Sequence, residues 1–191
     1  MNIKLLIFLN GAILFCLLIF SCNEKQNKKA DESNYKLGNV AFGVPQGEKW
    51  SISDNTNKRI VFSLQNNSDS MNSVIEVEEL NINKNVTIDS AFRHLEDSLI
   101  NYFLQYKRIS PHYNRNEYKG NECLEYDGIY KDTTSVESSK YFLSFRGVFM
   151  QNPGNPEKLS YFKLKHSSIQ KKIPDDVLTS YQKLIESVKF E

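Results

Sequence analysis

The sequence is poor in cysteine, glycine and proline, and it has no excess of charge of either sign. Its 191 residues include 3 cysteines, 8 glycines and 5 prolines. So little glycine and proline excludes a collagen-like or low-complexity chain, while 40% hydrophobic residues are enough for one hydrophobic core. The 24 basic residues nearly balance the 23 acidic ones, so the sequence lacks the basic surface that binding to nucleic acid requires.

The three cysteines do not predict a disulfide bond. Cys16 and Cys22 lie in or next to an apolar N-terminal run, which leaves Cys123 without an intramolecular disulfide partner. Glu122 and Glu125 flank Cys123, and neighbouring carboxylates disfavour the reactive thiolate. We therefore interpret Cys123 as a small buried strand residue and expect the domain to be stable through its core alone.

The chain lacks the short motifs that mark common catalytic and cofactor sites. It has no glycine-rich phosphate loop, no nucleophile elbow, no Cys-x-x-Cys pair and no His-Glu-x-x-His helix. His94, His112 and His166 lie on different predicted elements, whereas a zinc site needs three or four convergent ligands. The sequence therefore predicts no catalytic residues, no metal site and no cofactor.

The N-terminus has the pattern of an export signal. Lys4 precedes an apolar run, Leu5–Phe20, and the small residue Ser21 precedes a cysteine. The alternative is a membrane-spanning anchor, but the run is shorter than the ~20 residues that a spanning helix needs, and Asn10-Gly11 interrupts it. The pattern favours a signal peptide over residues 1–21.

The four residues Ile19-Phe20-Ser21-Cys22 resemble the lipobox of bacterial lipoproteins, although Phe20 is bulkier than usual. The resemblance implies that the Cys22 thiol receives a diacylglyceryl group and that the chain is cleaved before Cys22. Two or more acyl chains anchor a protein durably in a membrane. Asn23 stands where known sorting systems use Asp to retain a lipoprotein in the inner membrane, so we expect the periplasmic face of the outer membrane.

A polar tether links the predicted anchor to one folded domain. Residues 23–34 are polar except for Ala30, and such a composition cannot form a core. The predicted organisation is a signal peptide (1–21), a lipidated cysteine with its tether (22–34) and a single domain (35–191). Without Lys4 the mature chain has 23 residues of each sign, which does not predict a polybasic membrane-binding patch.

Alternating and apolar runs predict strands in the domain. Arg59–Gln65 and Ser73–Leu80 flank a polar turn and predict a hairpin. Lys140–Met150 is mostly apolar on both faces, which indicates a central strand. Pro111 excludes a central strand from Ile109–Tyr118, and we expect that segment to be irregular. Other predicted strands are Val40–Val44 with Trp50–Ser53 as its continuation, Glu122–Lys131 and Leu159–His166.

Two amphipathic helices are predicted. Thr87 is the expected N-cap of a helix over Ile88–Tyr106, whose apolar stripe includes Leu95 at its middle. Pro174 precedes a second helix over Asp175–Val188. The expected inner face of the second helix is Val177, Leu178, Tyr181, Leu184, Ile185 and Val188. Asp175 and Asp176 are expected to interact with the helix dipole rather than with a bound cation.

Two further features have alternative interpretations. Arg146, in an apolar strand, points either inward to an acidic partner or ligand, or outward to solvent, and we favour the second. Several tyrosines either converge on a recognition groove or line the edge of the core, and the core edge is favoured. They are Tyr102, Tyr106, Tyr113, Tyr118, Tyr126 and Tyr130.

Three segments resemble the PsbP-like family, which includes the periplasmic DcrB-like proteins. They are Val40–Ile52 (VAFGVPQGEKWSI), Gly120-Asn121-Glu122 and Leu184–Glu191 (LIESVKFE), in which Val188 replaces the usual Phe. The resemblance spans Tyr35–Glu191 and implies an α+β fold, an antiparallel β-sheet with helices packed on its faces (an α-β-α sandwich). The known functions in the family are non-catalytic.

Two functional hypotheses follow. The first is a non-catalytic binding or assembly module, anchored in the cell envelope, that contacts an envelope protein. The alternative is a small-molecule carrier or a hydrolase with an unrecognised site. The lack of any catalytic constellation in the sequence favours the first.

Overall fold

The computed structural model of the chain describes residues 34–47, 49–64, 72–83, 86–91, 93–94, 106–118, 120–132 and 140–191. The predicted signal peptide, the lipidation site Cys22 and most of the tether lie outside these residues, as does Leu95. In the described part no helix is long and apolar enough to cross a membrane.

Ten strands and two helices make up the described domain. Helix α1 begins at Ile88 and is described over residues 88–91 and 93–94. Helix α2 spans Asp175–Ser187. The strands are β1 (Tyr35–Leu37), β2 (Val40–Phe42), β3 (Trp50–Asn55), β4 (Arg59–Leu64), β5 (Asn72–Asn81), β6 (Tyr106–Tyr118), β7 (Asn121–Asp132), β8 (Phe142–Gln151), β9 (Lys158–Ser168) and β10 (Lys189–Phe190).

Most strands form one antiparallel seven-stranded sheet in the order β3-β4-β5-β9-β8-β7-β6. The predicted hairpin is confirmed by the β4–β5 pairing, and β8 is an interior strand between β9 and β7, as expected. A second sheet of three strands has the order β1-β2-β10, so it joins the two ends of the domain. Lys189 of β10 lies opposite Ala41 of β2.

The two faces of the large sheet have separate cores. One core includes Phe62 and Phe162 of the sheet and Tyr181 and Leu184 of α2, all at most 2% exposed. The three-stranded sheet belongs to the same core through Phe42. The other core joins Ile88 and Ala91 of α1 to β7, β8 and β9. We call these two sides the α2 face and the α1 face. The predicted α+β fold, with helices on both faces of an antiparallel sheet, is confirmed.

Three sequence predictions are wrong in detail. Val40–Phe42 and Trp50–Asn55 belong to different sheets, because the chain turns at Pro45-Gln46-Gly47, where Gly47 has a φ of 128°. Residues 109–118 are not irregular but part of β6. The first helix does not extend to Tyr106 as predicted, because β6 begins at that residue. Pro111 is tolerated there because β6 is an edge strand that pairs with β7.

Candidate functional site

Burial on the α2 face is lost toward the edge strand β6, although Cys123 of β7 is still only 1% exposed. Phe162 and Leu164 of β9 are 0% exposed, and Val148 of β8 is 5% exposed. On β7, Glu125 lies opposite Val148 and is therefore on the same face. Its side chain is only half-buried. On the same face Asp127 is exposed. The surface that remains open, which we call the open patch, consists of Asn114, Asn116, Glu125, Asp127 and Ile129.

Arg146 marks the boundary between the buried and open parts of the α2 face. It lies opposite the buried Leu164 on one side and opposite the exposed Asp127 on the other. Its half-buried position is intermediate between the two orientations considered from sequence. The guanidinium group therefore adds a positive charge to the edge of a patch that otherwise contains two carboxylates.

A row of buried polar side chains crosses three strands of the same face. Ser73 of β5, His166 of β9 and Ser144 of β8 are directly opposite one another, and none is more than 3% exposed. Ser73 Oγ lies 2.8 Å from His166 Nδ1. His166 Nε2 and Ser144 Oγ have no hydrogen-bond partner in the described chain. We call these three residues the polar row.

The polar row has the groups, but not the access, of a catalytic pair. A serine within hydrogen-bond distance of a histidine is the arrangement of nucleophile and general base. Burial lowers the pKa of His166, and the opposing influence of Asp176 in α2 is smaller. Because Ser73 is 0% exposed and His166 is 1% exposed, no substrate reaches either group in this conformation.

The α1 face buries charged groups instead. Lys163 Nζ lies 2.7 Å from Glu76 Oε2, and Lys165 donates to the other carboxylate oxygen. The Lys163 and Glu76 side chains are 9% and 12% exposed. Burial alone would raise the pKa of Glu76, but the two lysines bring it below its usual value. Burial, helped by Lys163, lowers the pKa of Lys165.

Aromatic rings lie beside this charged cluster. Phe149 and Tyr161 stack with centroids 4.1 Å apart, and the hydroxyl groups of Tyr126 and Tyr161 are hydrogen-bonded to each other. Burial raises the pKa of both tyrosines, so neither is an acid near neutral pH. The Tyr126 ring lies directly over Gly147, where a Cβ atom would clash with it. This close approach explains a glycine inside an interior strand.

Solved structures share this architecture. The solution structure of CyanoP, the cyanobacterial PsbP of Synechocystis sp. PCC 6803, is 16% identical, covers 90% of this chain and 98% of its own, and has a TM-score of 0.53. The chain has a PsbP-like fold. A structure of a mutant of the protein Mog1 is 12% identical and covers 84% of this chain and 96% of its own, with a TM-score of 0.53. No family model and no curated protein matches the sequence.

The PsbP-like fold also explains where the sequence motifs lie. The segments Val40–Ile52 and Leu184–Glu191 are far apart in the chain, but they meet where β2 pairs with β10. The two motifs therefore contain the strands that pair to complete the three-stranded sheet. Gly120 lies in the turn between β6 and β7, where its φ of 79° favours glycine.

The structure separates most of the residues singled out from sequence. Cys123 is 1% exposed in β7, so the interpretation as a small buried strand residue is confirmed, and burial together with Glu125 raises its pKa to about 11. Tyr126 and Tyr130 pack on rings of the α1 face, whereas Tyr118 packs against the other core. These three tyrosines therefore do not line one groove. The side chains of Tyr102, Tyr106 and Tyr113 lie outside the described residues.

In the described part of the chain, the histidines and acidic residues do not gather into a metal site. Within the described ranges, no three residues among His, Cys, Asp and Glu are placed to hold an ion. His94 is exposed on α1, and the His112 side chain lies outside the description. Asp175 and Asp176 are both in the first turn of α2, and Asp175 pairs with Lys172 at 2.9 Å. Sequence reasoning missed the polar row and the charged cluster, which only strand register brings together.

Proposed function

We propose that the protein is a lipid-anchored, non-catalytic binding or assembly module of the bacterial cell envelope, which contacts a protein partner through the open patch. The observation that carries this proposal is the loss of burial across the α2 face from β9 to β6. A rigid antiparallel sheet holds the patch in place, so a partner would meet a surface that is already ordered.

The chemistry of the patch is suited to a separable partner. It combines the half-buried apolar side chain of Ile129 with the carboxylates of Glu125 and Asp127, and Arg146 lies at its border. Interfaces between proteins that also exist apart have this mixture of apolar and charged surface. Ile169, the one large hydrophobic side chain that is exposed in the described domain, does not belong to the open patch.

Anchoring would make a modest affinity sufficient. A lipidated Cys22 and the polar tether of residues 23–34 would hold the domain near other membrane components. Such tethering raises the effective concentration of a binding surface without any new contact. The expected location is the periplasmic face of the outer membrane.

A photo-crosslinking amino acid tests the proposal in living cells. Placed at Asn114 in the open patch, it should give a discrete adduct with one envelope protein on irradiation. Gln182, on the exposed side of α2, is the matched control and should give no such adduct. Equal adducts from both positions, or none from either, would contradict the open patch as the contact.

Enzymatic turnover would favour the alternative. If the protein hydrolyses an envelope substrate, and if Ser73→Ala or His166→Gln abolishes that activity, the hydrolase hypothesis replaces the binding module. A ligand recovered from within the domain would instead support a carrier.

A further inference from the structure

We propose that the polar row makes the packing of α2 on the large sheet sensitive to acid, with His166 as the group whose protonation weakens it. The device lies between two layers of the fold rather than on the surface. It is independent of the partner proposed for the open patch.

The position of His166 couples it to the α2 layer. It is 1% exposed on β9, two residues along the strand from Leu164, which belongs to the core that α2 completes. Asp176, in the first turn of α2, is the charged group whose field reaches the imidazole ring. A charge placed on the ring therefore lies within electrostatic reach of the first turn of α2.

The hydrogen bonds of the row fit a neutral ring better than a charged one. With either tautomer of neutral imidazole, Nδ1 is satisfied by Ser73 and one atom, Nε2, is left unmatched. In the protonated ring both nitrogens are donors, so Nε2 needs an acceptor. The hydroxyl directly opposite in register is that of Ser144, which makes no hydrogen bond to the ring. Protonation therefore leaves a charged donor unmatched in a site that is 1% exposed, a cost that movement of the strands or of α2 would relieve.

The surrounding charges do not remove this cost. From α2, Asp176 favours the charged ring, but it is exposed and its attraction is screened by solvent. From β8, Arg146 lies one register step away and brings no negative charge to the ring. From β7, Ile129 is opposite Ser144, and the exposed Asp127 lies one step further along. From β5 the nearest residues on this face, Ser73 and Ile75, are uncharged.

The direction of the pH effect follows from linkage. Because burial lowers the pKa of His166 in the folded state, the unfolded chain binds more protons at mildly acidic pH. The stability associated with the neutral ring is fully present above the unfolded histidine pKa of about 6.5 and decreases as the pH falls below it. One proton changes the folding equilibrium constant at most about tenfold per pH unit.

Urea unfolding of the full chain in detergent, measured from pH 7.5 to pH 5, tests the proposal. Trp50 is the single tryptophan, is 3% exposed and belongs to the core that includes α2, so its fluorescence reports this layer. The wild type should lose stability as the pH falls, with a fraction of a proton up to about one taken up on unfolding. His166→Gln should lack this proton uptake on unfolding. The control His94→Gln, at an exposed site, should behave as the wild type. Equal pH slopes for wild type and His166→Gln would overturn the proposal.

An NMR titration keeps the test decisive if His166→Gln does not fold. The ring resonances of His166 in the wild type should titrate below the unfolded histidine value. Amide exchange in α2, corrected for its intrinsic pH dependence, should accelerate on the acid side of that titration. A His166 pKa at or above the unfolded value would overturn the proposal, as would α2 amides whose corrected exchange does not change.

Discussion

The two faces of the seven-stranded sheet bury polar groups in opposite ways. On the α2 face the buried polar side chains of the sheet are neutral: they are serines, Ser73 and Ser144 among them, and His166, whose pKa is lowered by burial. On the α1 face ions are taken into the sheet: Lys163 and Glu76, with side chains 9% and 12% exposed, are paired, and the less buried Lys165 binds the same carboxylate. Ser73 and His166 on one face, and Glu76, Lys163 and Lys165 on the other, come from the same two strands, β5 and β9, whose alternate residues face opposite sides of the sheet.

The difference shows which interactions each face depends on. A buried ion is tolerated when it is paired, and removal of its partner leaves an uncompensated charge. The neutral polar row persists with two unmatched atoms, His166 Nε2 and Ser144 Oγ, but a new charge there would be far more costly. The α1 face should therefore be sensitive to loss of a charge, and the α2 face to loss of apolar volume or to gain of a charge.

The largest effect is expected from Glu76→Gln. The substitution removes the carboxylate that pairs with Lys163, whose side chain is only 9% exposed. Loss of this counter-ion should lower the free energy of unfolding by about 3–5 kcal/mol. Since the pKa of Glu76 is lowered, its contribution is present above the unfolded glutamate pKa and is lost as the pH falls toward the folded value. Denaturant unfolding at neutral pH measures the change.

Two controls sharpen this prediction. Glu122→Gln breaks an exposed ion pair with Arg115 and should change stability by less than about 1 kcal/mol. Replacing Glu76, Lys163 and Lys165 together by methionine should destabilise less than Glu76→Gln alone, because no buried charge remains. If Glu76→Gln alone is as stable as the wild type, the α1 face does not depend on paired ions.

On the α2 face, Leu164→Ala should cost about 2–5 kcal/mol. Leu164 is 0% exposed and belongs to the core that includes α2, so its loss creates a cavity. Ile169→Ala, at a site 58% exposed, is the matched aliphatic control and should have little effect on thermal unfolding. Equal shifts in Tm for the two variants would contradict the assignment of this core.

A smaller effect is expected from Tyr126→Phe. It removes the partner of the Tyr161 hydroxyl, which belongs to a residue 2% exposed, and should cost about 1–3 kcal/mol. The double change of Tyr126 and Tyr161 to Phe should recover part of that loss, because no buried hydroxyl is then left unpaired. A double-mutant cycle measures the coupling, and a purely additive result would count against the hydroxyl pair.

The smallest predicted effect concerns the start of α1. Thr87 Oγ1 accepts a hydrogen bond from the Ser90 backbone at 3.3 Å, as expected of the N-cap assigned from sequence. Thr87→Ala should cost about 0.5–2 kcal/mol, and Thr87→Ser should cost less. If Thr87→Ser is as destabilising as Thr87→Ala in thermal unfolding, loss of the N-cap hydrogen bond is not the cause of the destabilisation.

Local patterns predicted most elements of the fold because they depend on periodicity within one segment. The hairpin of β4 and β5, the interior position of β8 and the inner face of α2 all follow from spacing. Strands β1 and β10 were missed because three and two residues are too short to show a period. Alternation in β9 is typical of a strand with one solvated face, and nothing nearby in sequence indicates that Glu76 lies opposite Lys163. The polar row was missed for the same reason, since register between distant strands creates it.

The anchor is the claim on which the proposed location depends, and the mass of the N-terminal peptide of the mature protein tests it most directly. The account predicts a peptide that begins at Cys22 and carries a diacylglyceryl group on the cysteine sulfur, with residues 1–21 removed. In a Cys22→Ser variant neither the cleavage nor the lipid mass should be found. A wild-type peptide in which residues 1–21 remain joined to an unmodified Cys22 would contradict the anchor and, with it, the envelope location.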